Sequence, residues 1–296
     1  MPLGDHTQAR WADLLGLVED QLGNAAQRDR AWRVAAQWYP QGTQTAMRLA
    51  RLRAHTTRRD GDPQQALEIL DEATGTASGQ EEEVERERIL VAIERSRILR
   101  ALARRGSNSA PLLQVEVGED SQDLADEALL ERCRCALASG ARLQAIDLAR
   151  QVIDSSVSSS QVRLIVEAQC LRARAMEDLR SLRIWSRWHH HLCHQESRRE
   201  ASIVAGIEAA EASLRLGEGS LALSEIAVLI EQARLHCRGQ LPRALLLMAR
   251  CESGAGWIRA ASRCLEEALT LDGSAGIVSW EGNLLVAASE WAAGRP

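Results

Sequence analysis

The sequence contains no lysine, so all 36 of its basic residues are arginine. Without lysine the chain cannot form a Schiff base, a serine–lysine dyad or the usual phosphate-binding loop, in which a lysine reaches the phosphates. Those classes of covalent enzyme and nucleotide hydrolase are therefore excluded. No cofactor is predicted.

Phenylalanine is also absent, and there is a single tyrosine. The core must be built from leucine, alanine, isoleucine, valine and the eight tryptophans. A chain of 296 residues with 45% apolar residues is long enough for one large solenoid or two compact domains. The abundance of alanine and leucine favours helix over sheet.

The chain has no basic tract, and its net charge is −5 with an isoelectric point of about 5.9. It therefore lacks the electrostatic signature of direct nucleic-acid binding. No apolar run approaches the length of a membrane-spanning helix, and no signal peptide is recognisable. We expect a cytoplasmic protein without a membrane partner.

The seven cysteines are scattered, odd in number and without paired spacing, which predicts reduced thiols. Placed on helix faces, they are expected to behave as small buried hydrophobic residues. They are Cys133, Cys135, Cys170, Cys193, Cys237, Cys251 and Cys264. No nucleophile, base or carboxylate pair forms a defensible catalytic set, so the sequence predicts a protein that is not an enzyme.

The pattern of apolar residues divides the chain into three parts. Residues 1–40 form two helices that act as an N-terminal cap or as the tail of a preceding domain, with Trp11, Leu14, Leu15 and Val18 at helical spacing. Residues 41–277 form helical hairpins, interrupted by an irregular insertion at 106–121. Residues 278–296 form a C-terminal capping helix.

A repeat can be counted from the turn glycines. The residue five positions after four of these glycines is alanine, and apolar residues follow that alanine at +4 and +7. The four alanines are Ala66, Ala145, Ala222 and Ala261. Their separations of 79, 77 and 39 residues correspond to two, two and one steps of about 39. The missing phases fall near residue 105 and near Ile184.

A small residue at this phase lets the two helices of a hairpin approach closely. This pattern resembles that of tetratricopeptide repeats, although the period exceeds the usual ~34 residues. The predicted fold class is all-α, with tetratricopeptide-like helical hairpins forming a right-handed superhelix, or α-solenoid. The first turn between helices is marked by Asp62 as N-cap and Pro63 at the first helical position.

The C-terminal third carries a more specific resemblance. Segments 231–235 (EQARL), 243–247 (RALLL) and 260–271 (AASRCLEEALTL) are followed by 276–280 (GIVSW) and Glu281-Gly282. This succession resembles the repeat region of MalT-like transcriptional activators, the ATP-dependent branch of LuxR-type regulators. The nucleotide-binding and helix-turn-helix modules of that family have no counterpart in the sequence. The resemblance implies a sensor repeat domain.

An unusual tryptophan- and histidine-rich segment lies at 185–194 (WSRWHHHLCH). His190 and His194 share a helix face and are weak candidates for metal ligands. The alternatives are a groove helix with both tryptophans packed inward and the histidines at the rim, or a ligand contact made by Trp185, Trp188 and His190.

Helical solenoids bind ligands on the concave surface lined by the first helix of each pair. Polar residues at non-core positions of those helices are the remaining binding candidates, because arginine suits carboxylates, phosphates and other polar groups. They are Arg134, Glu167, Arg172, Arg174 and Arg250.

The sequence thus predicts a signal-sensing and protein-interaction repeat domain of a bacterial transcription regulator. Its expected partner is a small-molecule inducer or a regulatory protein, and self-association is possible for such a domain. The alternative is a stand-alone scaffold that binds a peptide or a partner helix in its groove.

Overall fold

A computed structural model of the chain describes residues 3–40, 42–74, 82–104, 122–158 and 161–272. Within these ranges the ordered elements are α-helices and one short 3-10 helix, Arg238–Gln240. The α-helices are α1 (Leu3–Leu22), α2 (Ala25–Trp38), α3 (Gln44–Arg59), α4 (Pro63–Thr74), α5 (Glu82–Arg104), α6 (Gln122–Ala138), α7 (Arg142–Ser158), α8 (Val162–Ala175), α9 (Leu179–Gln195), α10 (Arg199–Arg215), α11 (Gly219–His236), α12 (Leu241–Gly254) and α13 (Ile258–Asp272).

Six helical hairpins follow one another: α1–α2, α3–α4, α6–α7, α8–α9, α10–α11 and α12–α13, with α5 packed between α3, α4 and α6. Each hairpin packs mainly on its neighbours in the chain, which defines a solenoid. The prediction of an all-α helical-repeat solenoid is confirmed. None of the described helices is both long enough and apolar enough to cross a membrane.

Several expectations fall outside the described residues. These are the insertion 106–121, the repeat phase near 105, the capping helix 278–296 and the family-like segment 276–282. The division into cap, repeats and second cap stays a prediction.

Aspartate side chains cap the starts of two helices, α4 and α9. The backbone nitrogen of Gln65 donates to the Asp62 carboxylate at 2.9 Å, and α4 begins at Pro63, as the sequence predicts. Asp178 caps α9 in the same way, accepting from the nitrogen of Ser181 at 3.1 Å. These two caps mark where α4 and α9 begin.

The repeat phase derived from the turn glycines is confirmed at four positions. Ala66, Ala145, Ala222 and Ala261 are all buried, and so are their +4 and +7 partners except the half-buried Ala73. The turn glycine before each alanine has a positive φ, as at Gly140 (80°). This left-handed conformation is strained for residues with a Cβ.

The phase expected near Ile184 does not fall on Ile184 itself, which is exposed. The turn that precedes this repeat phase is formed by a non-glycine residue, Glu177, with φ 56°. Five residues later lies Leu182, which is buried. With Glu177 included, the turn positions 61, 140, 177, 217 and 256 are separated by 79, 37, 40 and 39 residues.

The largest apolar cluster joins α10, α11, α12 and α13. Ile207, Ile226, Leu245 and Leu265 are its deeply buried members, one from each helix. The two helices of each hairpin and the two successive hairpins therefore share one continuous core.

The first hairpin packs differently. Trp32 of α2 is buried against α1, and its indole nitrogen donates to the carbonyl oxygen of Asp13 at 3.2 Å. Gly16 makes this approach possible, because a Cβ there would lie 2.1 Å from the indole nitrogen. The apolar residues Trp11, Leu15 and others of the predicted α1 stripe face outward and are exposed.

Candidate ligand channel

The helices curve around a channel of about 1240 Å³. Its wall is built mainly by one set of helices, here called the inner helices: α1, α3, α5, α6, α8, α10 and α12. The remaining helices contribute fewer residues, for example Trp32 of α2 and His189 of α9.

Arginine–carboxylate pairs join successive inner helices around the wall. Most of them connect residues 31 to 39 positions apart in sequence, which is about one repeat. The pairs are Arg48–Asp13 and Arg59–Asp20 (α3–α1), Arg58–Glu94 (α3–α5), Arg100–Glu131 (α5–α6), Arg134–Glu167 (α6–α8), Arg174–Glu208 (α8–α10) and Arg243–Glu211 (α12–α10). This set is called the inner ladder below.

Glu131 is the most heavily shared carboxylate of the ladder. It accepts from Arg100 at 2.7 Å and Arg134 at 2.8 Å, and Arg97 lies 3.8 Å away. Its side chain is fully buried. Burial alone would raise the pKa of Glu131, but the three guanidinium groups lower it below the usual value.

The superhelix closes on itself between α3 and α10. Arg58 donates to both oxygens of Glu200, at 2.7 and 2.9 Å, although the two residues are 142 positions apart. Arg199 donates to the carbonyl oxygen of Gln21 at 2.9 Å. A Cβ at Gly239, in the 3-10 helix, would lie 3.0 Å from the carbonyl oxygens of Arg58 and Arg59. We call these interactions the closing contact.

Three of the predicted binding residues line the channel: Arg134, Glu167 and Arg174. They belong to the inner ladder, so their charges are already paired within the protein. Burial would raise the pKa of Glu167, but Arg134, His189 and Arg163 lower it well below the ordinary glutamate value. Their contact with a ligand stays a prediction.

Two other predicted residues lie elsewhere. Arg172 and Arg250 are half-buried on α8 and α12 and are not among the described residues that form the channel wall. The structure thus separates them from Arg134, Glu167 and Arg174.

Trp185 and Trp188 form an edge-to-face pair with ring centroids 5.7 Å apart. Trp185 packs against the buried cluster of Cys170, Ala173, Leu182 and Ala212, whereas Trp188 is 58% exposed. The expectation that both tryptophans pack inward is therefore wrong for Trp188, which the helical phase of α9 directs outward.

The predicted residue His190 borders a separate cavity of about 260 Å³ between α9, α10 and α11. Its Nδ1 lies 2.8 Å from the carbonyl oxygen of Ser202, a distance at which Nδ1 donates. The rings of His190 and His194 stack with centroids 6.3 Å apart. Among the described residues, no group of three or more histidine, cysteine, aspartate or glutamate side chains could hold a metal ion.

His189 is a channel residue that the sequence analysis missed. It is buried in the wall, with Nε2 3.8 Å from Glu167, and burial lowers its pKa. The signal was present: counted from Leu182, the +4 and +7 positions are Ser186 and His189, and both are buried. The glycine-based count missed this phase because its turn residue is Glu177.

Most of the thiols are buried, as the sequence predicts. All seven cysteines are free and six are buried. Burial raises the pKa of Cys133 to about 11 and that of Cys170 to about 12. Such thiols stay protonated at neutral pH and are poor nucleophiles.

No protein-family model matches the chain, and no curated protein matches it. Among nineteen matching chains of solved structures is a tetratricopeptide repeat protein from Parabacteroides merdae ATCC 43184, determined by crystallography at 2.39 Å resolution. It is 12% identical to this chain, and the alignment covers 95% of this chain and 99% of that chain with a TM-score of 0.48.

Proposed function

We propose that the chain is a non-enzymatic signal-sensing and protein-interaction repeat domain whose ligand or partner occupies the channel. The observation that supports this most directly is the closure of the superhelix around about 1240 Å³ of space. Ordinary small-molecule sites measure roughly 300–1,000 Å³, so the channel has room for a large ligand or a segment of a partner.

The channel wall allows a bound ligand to act on the curvature of the superhelix. The channel is lined by residues from the first described hairpin to the last, for example Asp20 of α1 and Arg243 of α12. A ligand held there touches several repeats at once. It shifts the curvature of the superhelix if it binds one curvature more tightly than another.

Following the resemblance of segment 231–282, we further propose that this domain serves a MalT-like bacterial transcription regulator. An inducer or a regulatory protein would then move a resting, autoinhibited form toward a self-associating form. A coding sequence that continues into nucleotide-binding and helix-turn-helix modules would support this context. A gene that encodes only this chain would favour the stand-alone scaffold.

A screen with a blocked channel tests the binding proposal. Ala138 lines the channel at an exposed position at the end of α6, and Ala138→Trp places a large side chain there. Ala227 is exposed on α11, outside the channel wall, and Ala227→Trp is the matched control. Thermal-shift and calorimetric screens would use metabolites, peptides and candidate regulatory proteins.

We expect a ligand that raises the melting temperature of the wild type and of Ala227→Trp but not of Ala138→Trp. A peptide as the ligand would favour the scaffold, whereas a metabolite or regulatory protein would favour the sensor. A screen in which every compound leaves the wild type unchanged contradicts the proposal, as does a ligand that Ala138→Trp binds equally well.

A further inference from the structure

The channel concentrates positive charge in an acidic protein. The whole chain carries 36 arginines against 41 acidic residues, yet fourteen arginines and seven carboxylates line the channel. Carboxylates just behind the wall compensate only in part, because some are shared, as Glu131 is by three arginines. The interior therefore attracts anions although the chain as a whole repels them.

Arg174 lies near two further arginines of the channel wall, Arg243 and Arg100. It lies in the last turn of α8, contacts Glu208 and keeps 35% of its side chain accessible from the channel. Burial, then the nearby charge of Arg243 and more weakly that of Arg100, lower the pKa of Arg174 to about 10. An arginine pKa falls in this way where burial and neighbouring guanidinium groups outweigh the attraction of nearby carboxylates.

The three arginines come from three different inner helices. Arg100 belongs to α5, Arg174 to α8 and Arg243 to α12, and all three line the channel. The carboxylates of Arg100 and Arg243 lie at the helix interfaces, where Glu131 is fully buried and Glu211 is half-buried. Their pairing leaves further guanidinium N–H groups available, since each guanidinium has five donors.

We propose that the channel contains a binding site for a multiply charged oxyanion, centred on Arg174 and completed by Arg100 and Arg243. Guanidinium groups bind phosphate and carboxylate oxygens in paired, charge-assisted hydrogen bonds. The inference rests on the proposed function, because it names the ligand chemistry of the same channel. A bound anion would connect α5, α8 and α12 and so draw distant repeats together.

Two sources of such an anion share this chemistry: a free small molecule and the acidic side chains of a peptide. Isothermal titration calorimetry on the full chain at low salt distinguishes them. The probes are inorganic pyrophosphate, citrate and an octaglutamate peptide. The variants are Arg174→Gln and Arg243→Gln, with Arg180→Gln as control, because Arg180 is exposed on α9 and outside the channel wall.

We expect at least one probe to bind the wild type and Arg180→Gln with one-to-one stoichiometry. Losing a charge-assisted pair costs about 1.5–3 kcal/mol, which corresponds to a roughly tenfold to hundredfold weaker affinity in Arg174→Gln. Arg243→Gln should weaken binding in the same direction. Binding of pyrophosphate or citrate identifies a free anion as the source, and binding of octaglutamate alone identifies an acidic segment.

The site is disproved if no probe binds, if Arg174→Gln and Arg243→Gln bind as the wild type does, or if Arg180→Gln is weakened equally. Far-UV circular dichroism checks that each variant keeps its helix content, and Arg100→Gln replaces any variant that does not fold. A neutral ligand that Ala138→Trp blocks, found together with no anion binding, would leave the proposed function in place and remove only this site.

Discussion

The charged face that the inner helices turn toward the channel and the apolar core of the C-terminal hairpins are held together by different forces. Successive inner helices are joined by arginine–carboxylate pairs, whereas α10–α13 share a continuous cluster of aliphatic side chains. Burial of apolar area is non-directional, but a guanidinium–carboxylate pair fixes distance and orientation. We infer that apolar packing supplies most of the stability and that the inner ladder sets the curvature of the superhelix.

The strongest way to break the inner wall is to neutralise its shared carboxylate. Glu131→Gln removes the charge that faces Arg97, Arg100 and Arg134 while keeping the size of the side chain. Breaking a buried ion pair from one side costs roughly 3–5 kcal/mol, because the remaining charges stay buried without compensation. Urea unfolding followed by circular dichroism measures the loss.

The control is Glu266→Gln on the exposed face of α13, which should change stability by less than about 0.5 kcal/mol. Equal and small effects of Glu266→Gln and Glu131→Gln would mean that the ladder adds little to the fold.

The apolar half of the comparison is tested at Ile226, which is completely buried in the cluster of α10–α13. Ile226→Ala removes buried methyl groups and leaves a cavity, which costs about 2–5 kcal/mol. Val228→Ala, two residues away on the exposed face of α11, should cost far less. Small-angle scattering should show unchanged dimensions for Ile226→Ala, whereas a more open superhelix would contradict the assignment of curvature to the ladder.

The closing contact should fail in acid, while the apolar cluster does not titrate. Burial would raise the pKa of Glu200, but Arg58 and His55 hold it at about 2 in the folded protein, below the ordinary 4.5. A carboxylate with a lowered pKa contributes stability that is complete above pH ~4.5 and is lost as the pH falls toward ~2. The contribution is on the order of 3 kcal/mol.

Glu200→Gln removes this carboxylate, so the variant should be less stable at neutral pH and should lose less stability between pH ~4.5 and ~2. Chemical unfolding at a series of pH values measures both effects. Glu94, which also pairs with Arg58 and also has a lowered pKa, keeps some acid dependence in the variant. Parallel pH profiles of wild type and variant would show that Glu200 does not stabilise the closed form.

The sequence was informative about the hairpins and less so about the channel. Apolar periodicity and turn glycines are local signals, and they correctly predicted the buried phase at Ala66, Ala145, Ala222 and Ala261. The inner ladder was not predicted, because each pair joins residues about one repeat apart and an arginine in a sequence carries no sign of its partner. The contact of Arg58 with Glu200 depends on the accumulated curvature of the intervening helices.

His189 lies between these extremes, since the repeat rule would have predicted its burial if the turn residue had been recognised. A glycine is recognisable in a sequence as a candidate turn residue, but nothing in a sequence marks a glutamate that adopts a positive φ. Glu177 belongs both to the hairpins and to the charged wall. It forms the turn between two helices, lines the channel and pairs with Arg142 at 2.6 Å.

The smallest predicted effect compares two turns of the same kind. Gly217 has φ 83° with open space around it, so Gly217→Ala should cost about 1 kcal/mol through backbone strain alone.

Glu177 already carries that strain at φ 56°, and Glu177→Gly should recover up to about 1 kcal/mol. The lost pair with Arg142 subtracts little, because both side chains are exposed. Thermal unfolding of the two variants measures the expected loss of stability in Gly217→Ala and the expected gain in Glu177→Gly. If Glu177→Gly instead lowers the melting temperature, the Glu177 side chain stabilises the channel wall by more than its strained backbone costs.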